Sequence, residues 1–209
     1  KIGSKLYVFL KKNKKENSFI NLENKSVTNV QLEKFLHGAQ LKSYNFNLYK
    51  TDKKKNNLNI SLSVVGSGIK QKNLLRNKLN ALLEGVFLTR DLVSEPGNVL
   101  HPDEYAKRIV KLRKFGLKVT VYDQKRLKKL GFNALLGVGQ GSIRGSYLVT
   151  MEWKGSKNKS KPLAFVGKGV CFDTGGYSLK PARFMEDMTY DMAGSATVVG
   201  LMKNLALRK

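Results

Sequence analysis

Two lysines flank one aspartate in the glycine-rich stretch GKGVCFDTGGYSLK, residues 167–180. Lys168 precedes Asp173 by five positions, and Lys180 follows it by seven. Asp191 comes later, at the predicted start of a helix. Carboxylates are the ligands that hard divalent cations prefer, and one carboxylate can bridge two such ions. The spacing therefore allows a metal site, although ordinary lysine–aspartate ion pairs on a surface would leave the same pattern.

The two lysines suit two different roles in such a site. A lysine can ligate a metal only as a neutral amine, and burial and nearby cations both lower its pKa towards that form. A lysine that keeps its charge can instead polarise a carbonyl and stabilise the oxyanion that forms when water attacks it. We interpret the stretch as holding one lysine of each kind.

The elements predicted around this stretch are those of an α/β domain. PLAFVG (162–167) is a continuous apolar run that predicts a buried parallel strand, and ligands of open α/β sheets bind beyond the carboxyl ends of such strands. DMAGSATVVGLMKNLALRK, from residue 191, predicts a helix with basic residues at its end. The remaining patterns predict strands at LKVTVYD and SYLVTMEW, a polar turn at KGSKNKSK, and helices at HPDEYAKRIVKLRKFG and QKRLKKLG.

The first part of the chain predicts a smaller α/β segment. KLYVFL and NLNISLSVV predict strands, VQLEKFLHGAQLKSYNF predicts a helix, and KTDKKKNN predicts an exposed turn. A long amphipathic helix follows and ends at SEPGN, because Pro and Gly do not continue a helix. We therefore predict the end of an N-terminal α/β domain (1–72), a linking helix (73–94) and the first part of a mixed-sheet α/β catalytic domain (95–209).

Two other features imitate functional motifs. GVGQGS (137–142) has glycines but lacks the dinucleotide-binding spacing, and a strand is predicted after it, so we predict a tight turn there. His37 and His101 are single and far apart in sequence, which gives little support to a histidine-based zinc site or a Ser-His-Asp triad.

Charge and composition limit the partners and the cellular location that the chain can have. The chain carries 39 Lys and Arg against 15 Asp and Glu, a net charge of +24. Such a balance raises the chance of contact with nucleic acid or an anionic membrane, but the excess is mostly Lys, and a solvated basic surface is the favoured explanation. The single cysteine, Cys171, excludes an internal disulfide and fits a reducing compartment. No run is long and apolar enough for a membrane span, so we predict a cytoplasmic protein without a membrane partner.

The motifs VGKGVCFDTGGYSLKP and DMAGSAT resemble those of the leucyl (cytosol) aminopeptidase family, two-metal enzymes that remove N-terminal residues from peptides. Family members carry VGKG, a hydrophobic residue, then FD, Ser or Thr, GG and SLKP, followed by D-M-x-G-x-A. RDLVSEPGNVLHPDEYA, LGVGQGS and GAQLKSYNFNLYK are similar to other family segments. The resemblance covers about residues 35–209.

The resemblance implies a role for each matched residue. Lys168 corresponds to the lysine that ligates one metal, Asp173 to the carboxylate that bridges both metals, and Asp191 to a further ligand of the lysine-bound metal. Lys180 corresponds to the catalytic lysine at the substrate carbonyl, and Met188 lies where the family lines the pocket for the first side chain. Lys168, Asp173, Lys180 and Met188 would all contact substrate, and the cofactors would be two divalent ions, Mn²⁺ or Zn²⁺.

The family pattern also includes N-T-D-A-E-G-R, which supplies two more carboxylate ligands and the catalytic arginine, and these 209 residues do not contain it. We therefore expect the central part of an aminopeptidase, inactive by itself, from a protein that acts on peptide substrates and forms a homohexamer. The alternative is a non-catalytic remnant or basic DNA-binding module.

Overall fold

The computed structural model describes residues 1–23, 26–51, 59–66, 74–156 and 161–208. Most of the predicted turn KTDKKKNN and half of KGSKNKSK lie outside these ranges. Within them, no helix is both long enough and apolar enough to cross a membrane.

The chain forms two compact units, an N-terminal unit (Lys1–Leu83) and a C-terminal unit (Glu84–Lys209). The division falls inside helix α3 (Leu74–Ser94), which is the long helix predicted before SEPGN. Each unit combines helices with a pair of strands, so the predicted α/β class is confirmed.

The N-terminal unit pairs two parallel strands and packs two helices against each other. Its elements before α3 are α1 (Ile2–Lys12), β1 (Asn17–Asn21), α2 (Asn29–Ser43) and β2 (Ser61–Val65). Phe19 of β1 lies opposite Ser63 of β2. Helix α2 begins at a capping box, in which the Gln31 backbone N–H donates to the Thr28 hydroxyl at 3.2 Å and the Thr28 N–H donates to the Gln31 side chain at 2.9 Å.

The prediction of a strand at KLYVFL was wrong, because this run lies inside α1. Its five apolar residues fit either a strand or one face of a helix, and tertiary contact decides between them. Gly3 and Leu10 are buried at helical spacing, and Gly3 lies so close to the Phe35 carbonyl on α2 that no side chain would fit. The Ser4 hydroxyl also donates to the Gly38 carbonyl at 2.9 Å, which fixes α1 on α2.

The C-terminal unit confirms most of the elements predicted for it. After α3 come α4 (Pro102–Val110), β3 (Lys118–Tyr122), α5 (Gln124–Lys129), α6 (Asn133–Gly139), β4 (Leu148–Glu152), α7 (Ala182–Met185) and α8 (Ala193–Arg208). A 3-10 turn, Lys111–Phe115, continues α4 and ends at Gly116, whose φ of 90° is a left-handed conformation that favours glycine. Strands β3 and β4 are antiparallel, with Val119 opposite Met151.

The core of the C-terminal unit forms where α4, β3 and α8 meet. Its buried residues include Leu100, Tyr105, Ile109, Leu112, Val119, Met192, Ala196, Val199 and Met202. Each large apolar side chain stabilises the fold by about 1.5–3 kcal/mol when fully buried. Helix α8 also crosses the second half of α3 closely, since a Cβ added to Gly85 would lie 2.5 Å from the Gly200 carbonyl oxygen. This packing holds α8, and Asp191 lies just before its first residue.

One prediction in this unit was wrong, and another was confirmed only in the second half of its segment. PLAFVG forms no strand, and Leu163 and Val166 are 87% and 96% exposed. A parallel strand needs a hydrogen-bonding partner, and none of the strands in the described ranges pairs with this run. The tight turn predicted at GVGQGS occupies only its second half, because Gly137 and Gly139 belong to α6 and the turn is closed by the Ser142 N–H, which donates to the Gly139 carbonyl at 3.0 Å.

Candidate metal centre

The main chain at Lys168 lies directly against the first turn of α8. The Ser195 N–H donates to the Lys168 carbonyl at 2.8 Å. A Cβ added to Gly167 would lie 2.5 Å from the Ser195 Cα and 2.6 Å from the Gly194 carbonyl oxygen, so this approach requires glycine. The contact carries the Lys168 side chain to the residues that precede α8.

Lys168 and Asp191 form a close ion pair. The Lys168 Nζ lies 2.6 Å from the Asp191 Oδ1. The side chain of Lys168 is 59% exposed, whereas that of Asp191 is 16% exposed. The other Asp191 oxygen, Oδ2, is buried and accepts no hydrogen bond from the residues that the structure describes. A buried carboxylate oxygen without a donor is unfavourable, and a cation would satisfy it.

Asp173 and Lys180 lie together in the glycine turn that follows. The Lys180 Nζ lies 3.4 Å from the Asp173 Oδ2, and the Gly175 N–H donates to the Asp173 Oδ1 at 2.8 Å. The Lys180 N–H donates to the Thr174 carbonyl at 2.9 Å and closes the turn, in which Gly175 has a φ of 89°. The site therefore contains two lysine–aspartate pairs, one beside the start of α8 and one in the turn.

The pKa of Asp173 is lowered from its ordinary value. The hydrogen bond from the Gly175 N–H is the main cause; burial opposes it, and the charges of Lys180 and Lys168 lower the pKa further. Asp173 is therefore a carboxylate at neutral pH, the form that binds metal ions. The charge of Lys168 acts on Asp173 as well as on Asp191, so the two pairs belong to one electrostatic environment.

The structure brings together the predicted ligands only in part. Within the described ranges, no group of three or more His, Cys, Asp or Glu residues is arranged to hold a metal ion. Met188 is half-buried in the 3-10 turn Glu186–Tyr190, and its carbonyl accepts a hydrogen bond from the Asp191 N–H at 3.2 Å. The ligand roles of Lys168, Asp173 and Asp191, and the substrate roles of Lys180 and Met188, stay predictions.

Sequence reasoning missed a hydroxyl pair behind the site. The Tyr105 hydroxyl of α4 lies 3.0 Å from the Ser195 hydroxyl of α8. Burial is the main cause that raises the pKa of Tyr105 to about 12, so its hydroxyl stays protonated at neutral pH. Ser195 belongs to the motif DMAGSAT, whereas no sequence pattern singles out Tyr105 within HPDEYAKRIVKLRKFG. A contact between residues 90 positions apart has no local signal.

His101 and Cys171 have structural roles. His101 lies at the N-cap of α4, where its Nδ1 is 3.4 Å from the Glu104 backbone nitrogen and 2.5 Å from the Asp103 carboxylate. Cys171 is buried, and that burial is the main cause that raises its pKa to about 11. Its thiol is therefore in the unreactive, protonated form at neutral pH.

Comparison with known proteins identifies relatives that share this region. Residues 87–209 match the model of the cytosol aminopeptidase family, catalytic domain. The probable cytosol aminopeptidase of Phytoplasma mali (strain AT) is 50% identical over 188 residues, which are 88% of this chain and 38% of the relative. That of Nitrobacter winogradskyi is 50% identical over 177 residues, 82% of this chain and 35% of the relative. The chain thus spans little more than a third of the length of these relatives.

Solved structures show the same fold. A cytosol aminopeptidase from Coxiella burnetii is similar with a TM-score of 0.75 and 28% identity, over 91% of this chain and 39% of that one. The bottromycin maturation enzyme BotP, in complex with Mn, is similar with a TM-score of 0.76 and 26% identity, over 98% of this chain and 44% of that one.

Proposed function

Because the chain belongs to the cytosol aminopeptidase family, we propose that its protein is a metal-dependent aminopeptidase that releases N-terminal amino acids, of the leucine type, from peptides. The observation that carries this proposal is the environment of the two Asp191 carboxylate oxygens. One of its oxygens contacts the Lys168 amine at 2.6 Å, and the other is buried without a donor from the described residues. An amine beside a carboxylate oxygen of this kind suits a cation that accepts both nitrogen and oxygen ligands.

The proposed cofactors are two divalent ions, Mn²⁺ or Zn²⁺, held in part by Lys168, Asp173 and Asp191. The Mn complex of the similar enzyme BotP supports Mn²⁺ as the first ion to test. Bound ions of this kind act as Lewis acids and lower the pKa of a bound water.

Lys168 has to change its state to act as a ligand. In the structure its amine donates to the Asp191 Oδ1, which requires a proton on the donor. To ligate an ion, the Lys168 ammonium would release one proton to solvent, which would leave a lone pair for the ion. The Asp191 carboxylate would then no longer face a charged ammonium and would be available to the same ion. Asp173 needs no such change, since its lowered pKa keeps it ionised.

Lys180 and Met188 are the proposed substrate-contacting residues. Lys180 is held near Asp173 at 3.4 Å and keeps part of its side chain exposed to an incoming peptide. A charged amine at that place would stabilise negative charge that develops on the carbonyl oxygen of the first peptide bond. Met188 lies one turn before Asp191, so its apolar side chain would line the pocket for the first residue.

Hydrolysis of leucine amide with added Mn²⁺ tests the proposal in the full-length protein. We expect turnover, and we expect Lys180→Ala to reduce kcat by at least about a hundredfold, the size seen when one oxyanion-stabilising group is lost. Lys118→Ala is the matched control, because it removes another lysine–carboxylate pair, with Glu152 at 3.0 Å, that is largely exposed. Equal losses in both variants, or no Mn²⁺-dependent turnover in the wild type, would contradict the proposal.

The 209-residue chain is expected to turn over little substrate by itself. Its described residues offer no group of three His, Cys, Asp or Glu for a metal, and the family's N-T-D-A-E-G-R motif does not occur in the sequence. Turnover comparable to that of the full-length protein would refute this expectation.

Assembly and location are further proposals. We propose a homohexamer, as the resemblance implies, and a cytoplasmic location, which the protonated, unpaired thiol of Cys171 supports. A mass measurement in solution tests the first.

A second candidate function is nucleic-acid binding, favoured by charge. The net charge is +24, and α5 exposes four basic side chains around the buried Leu127: Lys125, Arg126, Lys128 and Lys129. If these residues contact phosphates, DNA affinity falls steeply with salt, and replacing all four lowers the slope by up to about four. Absence of binding at physiological salt would remove this candidate.

A further inference from the structure

Ser195 connects the main chain on both sides of the Lys168–Asp191 pair. Its N–H donates to the Lys168 carbonyl at 2.8 Å, and its hydroxyl donates to the Met192 carbonyl at 2.8 Å. Met192 directly follows Asp191 in the chain. One residue thus holds the backbone that carries the amine and the backbone that carries the carboxylate.

The buried Tyr105 hydroxyl holds the Ser195 hydroxyl in place. The two hydroxyl oxygens are 3.0 Å apart, and the Ser195 hydrogen is used by Met192, so Tyr105 is the donor in this contact. Tyr105 is only 5% exposed and packs in the core with Ile109 and Ala196. A buried phenol that donates in one direction restricts the rotation of the serine that accepts from it.

We propose that Tyr105 and Ser195 are positioning residues that set the separation between the Lys168 amine and the Asp191 carboxylate for metal binding. This inference rests on the proposed function, because it assigns the pair a metal to hold. Neither residue contacts the two charged groups through its own side chain in the hydrogen bonds described, so their effect passes through the backbone of Lys168 and Met192.

The space around this contact allows little adjustment. Gly167 lies against the Ser195 Cα, and a Cβ added to Gly194 would lie 3.2 Å from the Lys168 backbone nitrogen. The two segments are therefore in backbone contact, and a shift of Ser195 moves Lys168 with it. Residues that orient metal ligands from behind change metal affinity by about 10–100-fold when they are replaced.

Mn²⁺ titration of the full-length protein by calorimetry tests the inference. We expect Tyr105→Phe and Ser195→Ala each to weaken Mn²⁺ binding about tenfold. The double variant should be no weaker than Ser195→Ala, because the tyrosine acts through the serine. Hydrolysis of leucine amide should recover at saturating Mn²⁺, which separates a positioning role from a catalytic one.

Tyr122→Phe is the matched control, since it deletes a tyrosine hydroxyl from β3, where the ring stacks with Arg126 at 4.7 Å. It should leave Mn²⁺ affinity unchanged. Unchanged affinity in Tyr105→Phe, or an equal loss in Tyr122→Phe, would overturn the inference.

A measurement without metal separates this inference from the proposed function. Hydrogen exchange at the Ser195 amide reports its bond to the Lys168 carbonyl, and we expect Tyr105→Phe to speed it about tenfold while Tyr122→Phe does not. If the wild type binds no Mn²⁺, the proposed function and the metal role of the pair both fail. Faster exchange would then still support the link between the hydroxyl pair and Lys168, and unchanged exchange would overturn that link too.

Discussion

Lys168 and Asp191 are joined across 23 positions of sequence by a backbone contact to a helix in the core, whereas Asp173 and Lys180 are joined within one glycine turn. The first pair depends on Ser195, on α8 and on the core beneath it. The second depends on the hydrogen bond from Gly175 and on the closure of its own turn. Damage to the core should therefore separate the first pair and spare the second, while damage to the turn should do the reverse.

Gly167→Ala should have the largest effect, because its Cβ would meet the backbone of Ser195 at 2.5 Å and that of Gly194 at 2.6 Å. Backbone cannot give way as a flexible side chain does, so we expect a loss of up to about 3 kcal/mol in the free energy of unfolding. We also expect loss of the Lys168–Asp191 contact. Urea denaturation measures the loss of stability, and NMR spectra of the Ser195 amide, which donates to the Lys168 carbonyl, measure the loss of the contact; the Gly175 amide serves as the reference for the second pair.

Gly169→Ala is the matched control for this change, because its Cβ would meet only the Ser195 side chain, at 3.3 Å. The free energy of unfolding should fall clearly less in Gly169→Ala than in Gly167→Ala. A shift of the Gly175 amide in Gly167→Ala as large as the change at Ser195 would contradict the independence of the two pairs.

The pH dependence of stability should reveal the burial of Tyr105 behind the first pair. Its pKa is raised to about 12 from an ordinary value of 10.0, so the folded state holds its proton more tightly than the unfolded state. The associated stability is fully present below pH 10 and is lost as pH rises towards 12, by about 2–3 kcal/mol in total. Urea denaturation between pH 9 and 12 should show a steeper decline in the wild type than in Tyr105→Phe. Parallel curves would argue against this burial.

Gly175→Ala should have the smallest effect on overall stability. Its φ of 89° is strained for alanine, and the added Cβ would meet the Ser178 carbonyl, so the turn should open at a cost of about 1 kcal/mol. The pKa of Asp173 should rise towards its ordinary value as the Gly175 N–H moves away. The Ser195 amide should keep its protection from hydrogen exchange. Loss of that protection would show that the turn supports the first pair as well.

The sequence predicted the elements whose signals are local. Helices α3 and α8 show apolar residues at helical spacing and clear ends, and Gly116 ends the 3-10 turn after α4 as expected. The KLYVFL run was assigned to a strand because five apolar residues fit two periods, and only its contact with α2 decides. PLAFVG has the composition of a buried strand, but a strand forms only where another strand pairs with it.

The candidate site likewise combines residues that a local sequence motif predicts with contacts that no local motif predicts. The motif around Asp173 is contiguous, so the resemblance is enough to predict its residues. The contact between Lys168 and the Asp191 Oδ1 and the hydroxyl pair of Tyr105 and Ser195 arise from packing between segments far apart in sequence. The same packing buries the Asp191 Oδ2, which has no hydrogen-bond donor among the described residues. No spacing rule reaches across such distances.

The solvent-exposed run at residues 162–167 should also influence the aggregation of the chain at high concentration. The five residues after Pro162 are uncharged and strand-prone, and Leu163 and Val166 face solvent, so another extended chain could pair with them. Pro162 and the charge of Lys161 stand at its entrance and Lys168 at its exit, where they act as gatekeepers against fibre growth. Lys168 therefore has a second consequence for the chain: neutralising its charge would bring the molecule closer to self-assembly into fibres.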